Sequence, residues 1–286
     1  MRVRVDYRTR YTYAQPAHGI VQLLRLTPAD THSQHADEWR IDIDIDGALK
    51  PFTDAFGNRA HMFYAGGAAD AMTLHVTGEV QMEDAAGIVR GAPEPLPPTV
   101  FLRATERTAA DPTIAALARE TAGADAVAAL HRLMGLIHAR IAFVPGATDS
   151  ATPAAQVLRL GQGVCQDHAH LFIAAARAMG VPARYVSGHL VRADGAVDQP
   201  AGHAWAEAWV ADLGWVAFDP ANGIGTTDHY IRVAVGLDYL DAAPVRGARR
   251  GGGTETMDVH VRADRASQWQ SQSMGSMTQS QSMGDA

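Results

Sequence analysis

The sequence predicts an α+β protein: a small antiparallel β unit, then a larger unit of helices packed on a mainly antiparallel sheet. Three observations predict it. Residues 1 to about 90 carry the two-residue alternation of strands. A stretch with four prolines in eight residues, APEPLPPT (92–99), then breaks the pattern. Beyond it helical sequence comes first and strand sequence after, and segregation of this kind marks α+β folds.

In the first unit, Val3, Val5 and Tyr7 share one strand face, with Arg2, Arg4 and Asp6 on the other. VQLLRLTP (21–28), EWRIDIDIDG (38–47), FYAGG (63–67) and AMTLHVTGEVQM (71–82) continue the pattern between glycine turns. Ile41, Ile43 and Ile45 alternate with Asp42, Asp44 and Asp46, which read as the wet face of a half-buried strand rather than a cation site. Proline can neither donate to a ladder nor continue a helix, so 92–99 reads as a boundary or stiff linker.

The second unit opens with DPTIAALARETAG (111–123), whose Asp–Pro start suits an N-cap and first helical position. Val127, Leu130, Met134, Ile137 and Ile141 step by three and four, giving one core-facing helical stripe. ATPAAQVLRLGQG (151–163) reads as a short helix stopped by glycine, and CQDHAHLFIAAARAMG (165–180) as an alanine-rich one closed by Gly180 and Pro182. Strands are expected at 183–191, 203–210, 214–220, 230–236 and 256–264. The expected organisation is therefore a β unit over 1–100, a second unit over 101–264, and a Gln/Ser/Met tail over 265–286. The tail contains QSQSMG twice and no apolar periodicity, so disorder is expected there.

Composition limits the function. Hydrophobic residues make up 47% and charged residues 19%, a globular balance. A net charge of −7 argues against holding nucleic acid or an anionic membrane by charge, so neither is expected as a partner. No apolar run approaches the ~20 residues of a membrane helix. The opening MRVRVDYRTRYTY lacks the apolar core of a signal peptide, and one cysteine excludes an intramolecular disulfide and a cysteine zinc cluster. A cytoplasmic setting is the expectation, with no cofactor and no metal.

Cys165 follows GQGV and opens a helix. There a thiol meets the positive end of the helix dipole, which favours the thiolate, and backbone N–H groups that suit an oxyanion. The bland alternative is a buried, inert cysteine. Asp167, in the same first turn, is expected to point away and cap. His203 begins the strand HAWAEAWV, and Asp219 ends the strand GWVAFDP. On an antiparallel pair the two share a face only if the connecting loop has an odd residue count or a bulge intervenes. A three-residue loop, Ala211–Leu213, sets Asp219 opposite Trp205 and diagonal to His203, within side-chain reach. A metal set of Cys165, His168, His189 and His203 is the weaker alternative, its spacing being ill-defined for zinc. His168 and His170 read as packed or hydrogen-bonded histidines. Trp205, Trp209 and Trp215 read as core, and the role of Glu207, on the His203 face, is open.

These segments carry a resemblance. GQGVCQDHAHLFIAAARAMGVPARYVSGHL and GHAWAEAWVADLGWVAFDPANG resemble the transglutaminase-like superfamily of papain-like thiol enzymes. YTYAQPAHGIVQLLRLTP, DAFGNRAHMF and IRVAVGLDYLDAAPVRG are similar to its bacterial branch with a family-specific N-terminal β region. The likeness spans roughly residues 1–262. It implies a papain-like core and a Cys–His–Asp triad falling on Cys165, His203 and Asp219. Two positions depart from the branch: His168, where an aromatic such as Phe is usual, and Leu237, where a polar or basic residue is. The resemblance implies attack of the thiolate on an amide carbonyl. Hydrolysis of an amide or peptide bond in a peptide or protein substrate is the expectation, with transfer to an amine as the alternative and a non-enzymatic protein-binding scaffold as the third reading. Oligomeric state is not legible.

Overall fold

The computed structural model of the chain describes residues 1–265, so the Gln/Ser/Met tail over 266–286 lies outside the described residues. The first unit runs β1 (Arg2–Thr27), β2 (Gln34–Ile43), β3 (Ala48–Thr53), β4 (Arg59–Ala65) and β5 (Ala69–Met82). A short strand β6 (Ile88–Val89) precedes the helices α1 (Pro112–Thr121) and α2 (Ala126–Arg140). Then come β7 (Ala142–Phe143), α3 (Ala154–Leu160), β8 (Gln162–Gly163) and α4 (Cys165–Ala178). The second half continues with β9 (Ala183–Leu190), β10 (Asp198–Gln199), β11 (His203–Val210), β12 (Gly214–Asp219), β13 (Ile224–Gly225) and β14 (Tyr230–Gly236). It closes with α5 (Tyr239–Ala242), β15 (Val245–Gly251) and β16 (Glu255–Arg265).

Two antiparallel sheets result, which makes the fold α+β as the sequence predicts. The first is built on β1, a single strand where the sequence suggests two. Its pairing with β5 shifts register between Thr12 and Ala17, and Gly19 (φ 54) takes the left-handed conformation where pairing with β15 shifts. β3 and β15 carry no clear strand signal. β3 holds Pro51 on the outer side of β4, where a missing N–H is tolerated, and β15 is mostly arginine and glycine.

The second sheet has the order β13-β12-β11-β9-β14, with α4 packed across β11 and β9. The alanines of α4 explain the close approach: Ala169, Ala174, Ala175 and Ala176 are fully buried among Leu130, Leu133 and Ile137 of α2 and Phe218 of β12. Among the described residues no helix is long and apolar enough to cross a membrane.

The two units exchange strands and contacts. β16, grouped on sequence with the second half, pairs with β1 from Val3↔Arg265 to Tyr13↔Glu255. β6 pairs with β12 of the other sheet. The proline segment does not hang free: Glu94 makes a two-pronged bond to Arg184 of β9, at 2.8 and 2.9 Å. The outer edge of β14 is met by two amide side chains of the first unit. Gln34 donates to Arg232 O and accepts from Arg232 N, both at 2.8 Å, and Asn58 does the same at Val235, again at 2.8 Å. Each amide presents one donor and one acceptor, as a neighbouring strand would.

Candidate active site

Cys165 is the first residue of α4 and is half-buried. The turn before it is shaped by glycine and by Asp167. Val164 is extended (φ −114, ψ −178), and Asp167 reaches back so that its Oδ2 accepts from Val164 N at 2.8 Å and from Thr148 Oγ1 at 2.6 Å. Asp167 is thus a cap, as the sequence suggests. A side chain at Gly163 would stand 2.7 Å from the Asp167 Cβ, so only glycine leaves room for this return. Burial pushes the Asp167 carboxyl up, and its two hydrogen bonds partly offset that. The amides of Asp167 and His168 already bond to Val164 O, at 2.9 and 3.1 Å. Those of Cys165 and Gln166 come before the first intrahelical bond, and they are the N–H groups suited to a developing oxyanion.

His168 takes both ring nitrogens to backbone carbonyls, Nδ1 to Val164 O (2.9 Å) and Nε2 to Ile141 O (3.1 Å). It ties the start of α4 to Ile141, the residue between α2 and β7, and both its ring nitrogens are taken up by those carbonyls. His170 and His189 are buried, and burial pushes them down to about 3 and about 4. Among the described residues no group of three or more His, Cys, Asp or Glu is arranged to hold a metal ion.

His203 and Asp219 meet by strand register. β11 and β12 pair as Val210↔Gly214 through Ala206↔Phe218, leaving the three-residue loop Ala211–Leu213. Continuing this register sets Asp219 opposite Trp205 and diagonal to His203. His203 Nε2 lies 2.7 Å from Asp219 Oδ2. Two residues not singled out from sequence complete the carboxylate's surroundings: Tyr230 Oη donates to Oδ2 at 2.8 Å, and Asn222 Nδ2 does so at 2.7 Å. The backbone amides of Ala221 and Asn222 donate to Oδ1 at 2.9 and 3.2 Å. The run DPAN carried a signal for the last three bonds, since an Asp before a tight turn commonly bonds the amides that follow it.

Electrostatics follows from these contacts. Burial alone would raise the Asp219 carboxyl, yet its bonds to His203, Tyr230 and Asn222 hold it below the usual carboxylate range. Burial likewise works to lower His203. The Asp219 hydrogen bond, then the interaction with the Cys165 sulfur, outweigh it and raise the imidazole to about 10. Nε2 is occupied by Asp219, so Nδ1 is the nitrogen left for the thiol.

Comparison with known proteins agrees with this architecture. The family description "Transglutaminase-like superfamily" matches residues 115–220, a span that contains Cys165, His203 and Asp219. "Bacterial transglutaminase-like N-terminal region" matches residues 3–81. An uncharacterised protein of Mycobacterium leprae is 30% identical over 282 residues, covering 92% of this chain and 99% of its own. The chain belongs to the transglutaminase-like superfamily.

An uncharacterised relative from Mycobacterium tuberculosis (strain H37Rv) is 31% identical over 278 residues, covering 86% of this chain and 87% of its own. A solved structure of a candidate cysteine protease from Cytophaga hutchinsonii superimposes with a TM-score of 0.75 at 22% identity, covering 93% of this chain and 91% of that one. At that identity the likeness speaks to the fold: a transglutaminase-like core with its N-terminal β region.

Within this transglutaminase-like core, Trp205 and Trp215 are buried and Trp209 is 36% exposed at the surface. Trp205 packs edge-on to Tyr230 and stacks beside His203. Gly188 pairs with His203 across the strands, and a Cβ there would stand 2.6 Å from the Trp205 ring and 2.0 Å from Ile231 O. Glu207, left open by sequence, is fully buried between two arginines. Arg184 Nε lies 2.6 Å from its Oε2 and Arg232 Nε 2.8 Å from its Oε1. The Arg184 guanidinium also stacks 3.8 Å over Trp215 and reaches Glu94. Glu207 therefore anchors the sheet behind the candidate site and does not face it as a reactive group.

Proposed function

We propose that the protein is a cysteine hydrolase that cleaves an amide or peptide bond of a peptide or protein substrate through a Cys165 thioester. One observation carries the reading: the His203 imidazole, 11% exposed and raised to about 10, interacts with the Asp219 carboxylate through Nε2 and with the Cys165 sulfur. Cys165 attacks the carbonyl carbon as the thiolate. His203, as imidazolium, gives its proton to the leaving nitrogen, and Asp219 fixes the tautomer and balances the charge. The Cys165 and Gln166 amides at the start of α4 receive the oxyanion. Water then opens the thioester, with His203 as base. A cytoplasmic setting, where a lone thiol stays reduced, suits this chemistry.

The test needs no known substrate. The rate of Cys165 alkylation by iodoacetamide is measured against pH in the native chain and in His203→Ala. A thiolate titrating well below the ordinary ~8.5, with that shift lost in His203→Ala, supports the reading. A thiol titrating near its ordinary value in both removes it.

A further inference from the structure

β14 carries one residue more than the strand it pairs with. Tyr230, Ile231 and Arg232 lie opposite Leu190, His189 and Gly188 of β9, and pairing then resumes with Ala234↔Ser187 and Val235↔Val186. Val233 is the extra residue, a β-bulge. The bulge decides which way Tyr230 faces. Tyr230 and Val235 lie in one cluster with Trp205 and Val186, and the Arg232 side chain bonds Glu207 on that same face. Ala234 belongs to the core that contains the α4 alanines, while Ile231 and Val233 pack into the core of the first unit. Side chains alternate along a strand, so residues 230 and 235 cannot share a face in a regular ladder. With Val233 taken up into the ladder, Tyr230 would turn away from Asp219, and its 2.8 Å bond to Oδ2 would be lost.

The bulge is held from outside its own sheet. Gln34, the first residue of β2, is 3% exposed. Its amide bonds both backbone groups of Arg232, the residue just before the extra one, and its Nε2 also donates to Ala29 O at 2.9 Å. A single amide satisfies one residue of β14 without imposing a ladder register on the next. Asn58 makes the matching pair of bonds at Val235, on the side of the bulge away from Tyr230. We propose that Gln34 is a positioning residue for the triad: by holding Arg232 it fixes the bulge at Val233, and with it the aim of Tyr230 at Asp219. The first unit thereby acts on the thiol chemistry through β14 and the Asp219 carboxylate, which Gln34 itself does not touch. The inference rests on the reaction proposed above and adds to it a determinant from the first unit.

The experiment follows p-nitrophenyl acetate turnover against pH in the full chain, in Gln34→Met, in Tyr230→Phe, in the double variant and in Asn58→Leu, with a Tm for each. Tyr230→Phe is expected to move the acid limb up by about one pH unit, the shift that loss of a hydrogen bond to a charged group gives. Gln34→Met, which keeps the length of the side chain and removes its bonds to Arg232, is expected to move the limb in the same direction. The double variant is expected to go no further than Tyr230→Phe, because both substitutions act through one contact. Asn58→Leu is expected to lower Tm as Gln34→Met does and to leave the limb in place. If Gln34→Met does not fold, Gln34→Glu, which keeps an acceptor for Arg232 N, carries the same comparison. A limb unmoved in the Gln34 variant or in Tyr230→Phe, a double variant shifted by the sum of the two, or an equal shift in Asn58→Leu overturns the positioning role and leaves the Cys165 reading intact. Undiminished p-nitrophenol release in Cys165→Ala overturns both.

Discussion

Tyr230 donates its phenolic proton to the same oxygen of Asp219 that receives His203 Nε2, over 2.8 Å and 2.7 Å respectively. The phenol helps to keep that carboxylate ionised, because a hydrogen bond to the charged form favours it. In Tyr230→Phe the Asp219 carboxyl is expected to rise, which moves the acid limb of the rate profile to higher pH. Turnover at neutral pH is expected to fall roughly ten- to a hundredfold, in keeping with ~1.5–3 kcal/mol for a hydrogen bond to a charged group. The pH dependence of kcat/KM against an amide substrate checks both.

Asp219→Asn keeps the shape of the side chain but removes the charge opposite His203. The thiol is expected to remain alkylatable, while amide turnover drops on the order of 10²–10⁴-fold, because the imidazole is no longer held in one tautomer. Alkylation and turnover measured on the same preparation separate the two effects. Wild-type turnover would take Asp219 out of the mechanism.

The raised imidazole predicts an alkaline limb. His203 goes from 6.5 to about 10 on folding, so its charged form is the favoured one. The stability it contributes is complete below about pH 6.5 and is lost as pH climbs through about 10. The difference in Tm between the native chain and His203→Gln is accordingly expected to be widest in mild acid and to close in strong alkali. kcat/KM is expected to decline over the same alkaline range, as the proton needed by the leaving nitrogen is lost. Thermal melts and rates taken across pH test the sign directly.

His168→Phe supplies the aromatic ring more usual at this place in the branch, but it leaves the carbonyls of Val164 and Ile141 without the imidazole. Val164 O keeps the amides of Asp167 and His168, whereas Ile141 O loses the imidazole, and a buried acceptor left unmet costs ~1–3 kcal/mol. The variant is expected to unfold at lower urea and to alkylate more slowly at Cys165, since the turn preceding the thiol loses its tie to Ile141. Urea titration and alkylation rates report on the two.

Glu207→Gln leaves Arg184 and Arg232 facing a neutral amide at a buried position. Breaking a buried pair in this way typically costs ~3–5 kcal/mol. The expected result is a large loss of Tm, with the pH profile of any remaining activity unmoved because Glu207 does not touch the imidazole. A shifted profile would instead give Glu207 a part in the chemistry.

Cys165 could be placed from sequence because glycine before it and an alanine-rich run after it mark a helix start. His203 and Asp219 could be joined because strand parity leaves few choices, and the observed Val210↔Gly214 register is the three-residue case. Tyr230 could not be placed. It lies 11 residues from Asp219 on a strand that is not its neighbour in the sheet, and no local pattern reports such a contact. Glu207 was visible as a face but not as an ion pair, because Arg184 and Arg232 come from β9 and β14. β15 escaped for a different reason. VRGARRG has no apolar alternation, and it is a strand because β1 offers it a ladder.

The two amides that meet β14 have a consequence for how the chain can be cut. Gln34 and Asn58 occupy backbone groups that would otherwise form an open border of the second sheet. An unguarded border of that kind recruits the nearest strand of another molecule. A fragment beginning after the proline segment would keep Cys165, His203 and Asp219 yet gain an adhesive seam. Separate production of the reactive half is then a question of clumping as much as of catalysis, and two uncharged side chains some two hundred residues upstream act as its solubility tag.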